Sequence, residues 1–200
     1  MDLAIGKRLK LLPVLVVAIT IQSPSIVMAE ENAADLWTRM GQSFASSGPF
    51  DWTLAEAYIT ESDRSLIYRT IAKGDTDKAE ERSALMATAH VKLVGLAVAG
   101  PKQIVVFGPE VLCGGTGNCP ILVFARVQGR LRLVLDSFGS TFFIRRSTTG
   151  GFHDVATFMN SSADSGGFGV YHWIGAAYRQ FWCVSVQHMV ISQGKCGDAR

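Results

Sequence analysis

The hydrophobic pattern of the chain changes near residue 89. Before that point, apolar residues recur at three- and four-residue spacing, as Ala34, Trp37, Met40 and Phe44 do. This period is typical of amphipathic helices that bury one face. It predicts helices over residues 33–46, 51–59, 62–72 and 75–89.

After residue 89, β-branched and aromatic residues dominate, and short glycine-rich breaks separate the apolar runs. Such runs predict strands, and such short breaks favour an antiparallel meander. The predicted fold is therefore α+β: a helical segment, residues 30–88, packs on an antiparallel β-meander sheet formed by residues 89–200 of the same domain. The eight predicted strands are HVKLVGLAV, QIVVFG, PILVFARV, RLRLVLDS, TFFIRR, FHDVATFM, GFGVYHWI and YRQFWCVSV.

One hairpin can be predicted in register. If Gln128 and Gly129 form its two-residue turn, Val127 lies opposite Arg130 and Phe124 lies opposite Leu133. A slip of one residue would expose the apolar face, so the pattern specifies this register. The face expected to be buried contains Leu122, Phe124, Leu131, Leu133 and Leu135, and Arg130 and Arg132 lie on the other face.

The first 29 residues have the three-part order of a secretory signal peptide. Lys7, Arg8 and Lys10 precede an apolar run over 11–21, and Val27-Met28-Ala29 suits a cleavage site. The run is short for a membrane span, which needs about 20 residues. We expect cleavage near Ala29 and a periplasmic or secreted protein with no membrane association afterwards; an uncleaved anchor is the alternative.

Removing the signal peptide changes the charge balance. The whole chain has 19 basic and 17 acidic residues. Three of the basic and one of the acidic residues lie within residues 1–29, so 16 of each remain. A neutral mature chain gives no reason to expect nucleic-acid binding. The charges are uneven along the chain, with net −5 over residues 30–87 and net +5 over residues 88–200.

The four cysteines form an even set in an exported chain, where disulfides are expected. Three connectivities are possible, and we predict the local one, Cys113–Cys119 with Cys183–Cys196. The first pair closes the stretch CGGTGNC, whose glycines permit positive φ. The five-residue gap is wider than usual zinc-knuckle spacing, so we expect no metal and no other cofactor.

Catalytic patterns are sparse. A cysteine nucleophile needs a free thiolate near a base. His153 stands beside Asp154, but neighbours in a strand point to opposite faces. We expect Asp154 to tie a turn instead. The remaining enzymatic alternative uses a cysteine or His153 and His172 at the sheet.

The stretch VLCGGTGNCPILVFARV, with GGFHDVATF and VYHWIGAAYRQ further on, resembles small exported bacterial proteins of unknown function. These have a Cys-Gly-x-x-Gly-x-Cys loop before a hairpin. A looser similarity is to periplasmic inhibitors of vertebrate lysozyme, in which a disulfide-closed loop enters the lysozyme cleft. That similarity implies that residues 113–119 are the inserted loop, although this loop contains no histidine or acidic residue.

These observations favour a non-enzymatic, exported binding or inhibitor-type protein whose partner is another protein. The candidate binding loop is Cys113, Gly114, Gly115, Thr116, Gly117, Asn118 and Cys119. A basic face formed by Arg130, Arg132, Arg145 and Arg146 is the candidate second contact.

Overall fold

A computed structural model describes residues 51–73, 79–163, 165–187 and 190–194. The predicted signal peptide, the predicted helix over residues 33–46 and Cys196 lie outside these residues. Within the described ranges, no helix is long and apolar enough to cross a membrane.

Three helices precede most of the strands in this part of the chain. They are α1 (Ala55–Tyr58), α2 (Glu61–Ile71) and α3 (Ala79–Thr88). The ten strands are β1 (Thr53–Leu54), β2 (His90–Val94), β3 (Gln103–Phe107), β4 (Cys119–Val127), β5 (Arg130–Gly139), β6 (Thr141–Thr149), β7 (Phe152–Asn160), β8 (Ser165–Trp173), β9 (Tyr178–Gln187) and β10 (Val190–Gly194). All eight predicted strands are confirmed, while β1 and β10 were missed.

The strands form two antiparallel sheets rather than the one that the sequence predicts. Sheet 1 contains β1 to β5 in chain order, and sheet 2 contains β6 to β10. The chain passes from one sheet to the other at Gly139 and Ser140. A Cβ atom on Gly139 would lie 2.5 Å from the carbonyl oxygen of Phe158, so glycine permits the close crossing of β5 and β7.

The main core lies between the two sheets. One cluster of buried side chains includes Val105, Val123 and Leu135 from sheet 1, and Phe142 and Val155 from sheet 2. The strands β3, β4 and β6 contribute residues at alternate positions, as the period of two requires, whereas β5 contributes the consecutive residues Val134 and Leu135. The sheets therefore bury their facing sides against each other.

A second hydrophobic cluster contains side chains of the helices and of sheet 1. Ile67 and Met86 belong to it, together with Val106 and Phe124. Arg126 of β4 also forms an ion pair with Asp63 of α2, which is buried. These contacts lie on the side of sheet 1 opposite the main core.

The prediction for the hairpin between β4 and β5 is confirmed at the turn. Further along β5, however, Leu135 lies on the opposite face of the sheet from the one predicted. Gln128 and Gly129 both have positive φ, and Phe124 pairs with Leu133. The register then shifts, because Leu133 and Leu135 pair with the consecutive residues Phe124 and Val123. Val134 is thus the extra residue of a bulge. The expectation that Leu135 shares a face with Leu131 and Leu133 is wrong, since Leu135 lies in the core between the sheets.

Candidate functional site

The loop between β3 and β4 is closed by a disulfide between Cys113 and Cys119, as predicted. It follows a short 3-10 helix, Glu110–Leu112. The amide of Gly114 donates to the carbonyl of Asn118 at 2.7 Å, and the amide of Gly117 donates to the carbonyl of Gly114 at 2.8 Å. Gly117 has a φ of 75°, which favours glycine. Covalent and hydrogen bonds together define one shape for this tied loop, residues 113–119.

Asn118 attaches the tied loop to sheet 2. Its side-chain nitrogen donates to the carbonyl of Asn160 at 2.7 Å, and its side-chain oxygen accepts from the amide of Asn160 at 2.8 Å. The same nitrogen donates to the hydroxyl of Thr116 at 2.7 Å. Asn118 is only 6% exposed, so these bonds are largely shielded from water. The base of the loop is thereby fixed to the end of β7.

The tip of the tied loop is exposed and has apolar neighbours. Residues 114–117 are all exposed. Val111, just before the loop, is 75% exposed, and Phe138 and Met159 are also exposed. Phe138 approaches the position of a Cβ on Gly114 to 4.0 Å, and Met159 precedes the anchoring Asn160. The tied loop therefore has a fixed base and an exposed tip, and exposed apolar side chains lie at Val111, Phe138 and Met159.

The described cysteines carry no free thiol. Cys113 and Cys119 are bonded to each other, and Cys183 is also in a disulfide. Cys196, its predicted partner, lies outside the described residues. A thiolate mechanism therefore has no nucleophile at these three positions in the oxidised protein.

The four arginines of the predicted basic face lie on two different sheets. Arg130 and Arg132 are exposed on β5 of sheet 1. Arg145 and Arg146 are on β6 of sheet 2, where Arg146 is exposed and Arg145 is half-buried. The guanidinium of Arg145 lies 5.6 Å from the ring centre of Trp182.

A row of polar and aromatic side chains crosses the outer face of sheet 2. Asp154 of β7 and His172 of β8 face each other, with 3.7 Å between the Oδ2 and Nε2 atoms. Phe181 of β9 stacks on His172, with ring centres 4.3 Å apart, and is 65% exposed. Arg145 approaches from β6, and Trp182 of β9 lies under its guanidinium. Four adjacent strands thus contribute to one row.

Asp154 occupies an unusual environment within this row. It is 2% exposed, and its Oδ1 atom has no hydrogen-bond partner. Burial lowers the pKa of Arg145, and the negative charge of Asp154 opposes that shift. A buried polar atom without a protein partner is costly, and native proteins contain few of them. The prediction that Asp154 ties a turn is wrong, because the residue lies within β7.

His153 does not take part in the row. Its Nδ1 atom is 3.0 Å from the carbonyl oxygen of Arg145. The neighbours His153 and Asp154 therefore do not form a pair, as strand geometry led us to expect. The partner of Asp154 comes from the next strand, and only the register of β7 with β8 could have indicated it. Across the described ranges, no cluster of three His, Cys, Asp or Glu side chains could hold a metal ion.

Comparisons with known protein families, with curated proteins and with solved structures gave no match to this chain.

Proposed function

We propose that this chain is an exported, non-enzymatic binding or inhibitor-type protein that presents the tied loop to a protein partner. The observation that supports this proposal most directly is the attachment of Asn118 to Asn160, which holds the base of an exposed loop against sheet 2. A preorganised loop loses little conformational entropy on binding, and this increases affinity. The exposed side chains of Val111, Phe138 and Met159 add apolar contact area around it.

The proposal also covers the location of the protein and the packing of its helical segment. The signal peptide ends near Ala29, and the mature protein acts in the periplasm or outside the cell. The oxidised state of Cys113, Cys119 and Cys183 supports this location, because disulfides persist in oxidising compartments. We further propose that the whole helical segment, residues 30–88, packs on sheet 1 and leaves the tied loop accessible.

The disulfide is tested first by a free-thiol count and non-reducing peptide mapping of protein purified from the periplasm. We expect no free thiol and a peptide that joins Cys113 to Cys119. Free thiols at these positions would contradict the proposal, because no disulfide would then close the loop.

The partner is sought by placing a photo-activatable side chain at Thr116, at the exposed tip. Lys102, which is exposed at the other end of β3, is the control position. We expect a specific cross-linked protein from the Thr116 position that disappears in the double variant Cys113→Ser, Cys119→Ser. Equal cross-linking from both positions, or unchanged cross-linking in the double variant, would refute loop presentation.

A purified vertebrate lysozyme tests the inhibitor hypothesis directly. Inhibition that is lost in the same double variant would identify this class of partner. Absence of inhibition by the unmodified protein would exclude it and leave the cross-linked protein as the partner to identify.

The outer-face row favours a second candidate, an enzyme that uses His172 for proton transfer. The supporting observation is the buried carboxylate of Asp154 beside His172, because a carboxylate can orient an imidazole for general base catalysis. Chromogenic esters, phosphate esters and glycosides would serve as substrates. Turnover lost in His172→Gln but retained in the control His90→Gln, on an exposed histidine, would support this candidate, and no turnover of any substrate would remove it.

A further inference from the structure

A cleft of about 490 Å³ lies between the middle of β5 and the beginning of β9. This volume is within the usual range of ligand-binding sites. Its walls are formed by the consecutive residues 133–136 and by residues 177–180, with Tyr171 between them. The cleft does not include the tied loop or the outer-face row.

The edge of strand β5 faces this cleft. Successive side chains of a strand point to opposite faces, so four consecutive residues cannot all line a cleft by their side chains. Residues 133–136 do line it, and β5 is the last strand of sheet 1. The cleft is therefore open to the backbone of β5 along the edge of the sheet, with the bulge at Val134 at its centre.

The backbone of this edge has unpaired hydrogen-bonding groups. Val127 and Arg130 close the hairpin turn and form a hydrogen-bonded pair, and such pairs alternate with non-bonded pairs along an antiparallel ladder. Leu131 and Leu133 are accordingly non-bonded positions, whose N–H and C=O groups point away from β4. In the described part of the chain no strand accepts them, because β5 pairs with β4 alone. An unpaired edge of this length can accept an added strand.

Strand β9 forms the opposite wall of the cleft, and the described residues place no paired strand on one side of its first half. Within the described residues, β10 pairs with Cys183–Gln187, so the first half of β9 has β8 as its neighbour but no strand beyond it. Ala177 and Tyr178 contribute apolar atoms to this wall, and Arg179 and Gln180 contribute polar ones. A segment that lies along β5 therefore finds backbone hydrogen-bonding groups on one side and a wall of mixed polarity on the other.

The charged residues around the cleft indicate which kind of peptide segment it would bind. Arg130 and Arg132 are exposed on β5, and Arg179 lines the opposite wall. Among the residues that line the cleft, Asp136 balances Arg179. The net positive charge comes from Arg130 and Arg132, which lie beside the cleft on β5, and it favours an acidic partner along this edge.

We propose that this cleft binds an extended, acidic peptide segment of a protein partner, which adds to the free edge of β5 as a further strand of sheet 1. Main-chain hydrogen bonds to Leu131 and Leu133 supply affinity, and the arginines supply the preference for acidic side chains. This site is separate from the tied loop and does not depend on the function proposed for that loop.

The test uses the purified mature chain and two capped eight-residue peptides, one alternating glutamate with valine and one alternating lysine with valine. Fluorescence anisotropy measures binding, and amide hydrogen exchange reports which backbone groups become protected. We expect the acidic peptide to bind at least ten-fold more tightly than the basic one, and the amides of Leu131 and Leu133 to exchange more slowly in its presence.

Charge-reversal variants locate the site. Arg179→Glu and Arg132→Glu should each weaken binding of the acidic peptide by about five-fold, the size expected for loss of a surface ion pair. Arg146→Glu is the matched control, since Arg146 is exposed on β6 of sheet 2 and lies neither on β5 nor in the cleft, and it should leave binding unchanged. Urea unfolding of each variant verifies that the fold is intact.

Three results of the peptide experiments would overturn the proposal. They are no binding of the acidic peptide at millimolar concentration, binding without protection of the β5 amides, and equal weakening by Arg146→Glu. Self-association of the chain with protection of the same amides would also overturn it, because the edge would then bind a second copy.

Discussion

Asn118 and Asn160, 42 positions apart in the sequence, are joined by a reciprocal pair of hydrogen bonds between the side chain of the first and the backbone of the second. This pair connects the tied loop of sheet 1 to β7 of sheet 2. It makes the conformation of the loop depend on the packing of the two sheets, in addition to the disulfide.

The replacement Asn118→Ala should lower the free energy of unfolding by about 2 kcal/mol. Three side-chain hydrogen bonds are lost, and the backbone groups of Asn160 are left without partners in a shielded place. Urea unfolding measures the effect. Thr116→Ala, which removes one acceptor near the exposed tip, is the control and should cost less than half as much. Equal costs would mean that the bonds to Asn160 contribute nothing.

Gly139→Ala should destabilise the protein by about 2 kcal/mol, because a Cβ there would meet the carbonyl oxygen of Phe158 at the crossing of the sheets. Gly115→Ala is the matched control: a Cβ at Gly115 has no atom within 4 Å, so the change should be neutral or slightly stabilising. Thermal unfolding compares the two variants. A Gly139→Ala variant as stable as Gly115→Ala would contradict the close crossing of β5 and β7.

The stability of the protein should fall as the pH rises above 10. Burial, with a smaller contribution from the negative charge of Asp154, raises the pKa of Tyr178 above its ordinary value of 10.0. Above this pH the tyrosine ionises in the unfolded chain before it does so in the folded one, so the unfolded state is stabilised relative to the folded state. The slope approaches about 1.4 kcal/mol per pH unit.

Tyr178→Phe isolates this contribution. The variant loses the hydrogen bond from the tyrosine hydroxyl to the carbonyl of His153, which should cost about 1 kcal/mol at pH 8. The difference between the two proteins should then shrink between pH 10 and pH 11, as measured by urea unfolding. A difference that stays constant over this range would show that Tyr178 ionises equally in both states.

The ion pair of Asp63 and Arg126 should stabilise the attachment of α2 to sheet 1. Asp63→Ala is expected to cost about 2 kcal/mol, because it also removes the acceptor for the hydroxyl of Thr60. Arg126 is half-exposed, so the coupling in a double-mutant cycle with Arg126→Ala should be about 1 kcal/mol. A coupling of zero would show that the two side chains do not interact in solution.

The positions of the strands could be predicted because local sequence determines them. The alternation of apolar residues and the Gln128-Gly129 turn predict β4, β5 and the pairing of Phe124 with Leu133, which the structure has. The bulge at Val134 could not be predicted. Leu133, Val134 and Leu135 form a continuous apolar run, and this run does not show which residue is the extra one. In the structure both Val134 and Leu135 are buried.

For a similar reason, the disulfide of the tied loop could be predicted from the sequence, but the contacts between different strands and sheets could not. The disulfide between Cys113 and Cys119 follows from spacing and compartment, and it is confirmed. The contact of Asp154 with His172 depends on how β7 aligns with β8, and the anchoring of Asn118 depends on how two sheets pack. Such relationships join residues far apart in the chain, and no local pattern encodes them.

The order of the strands in both sheets has a consequence for how the protein folds. Every pairing among the described strands joins strands that follow one another in the chain, and from β2 to β10 each ladder closes without an intervening α-helix or strand. The pairing of β1 with β2 is the exception, because the three helices lie between them. Low contact order of this kind favours rapid folding for an all-antiparallel chain. Sheet 1 is complete at Gly139, so it can assemble before β6 to β10 are available, and the second sheet can then form on its exposed apolar side.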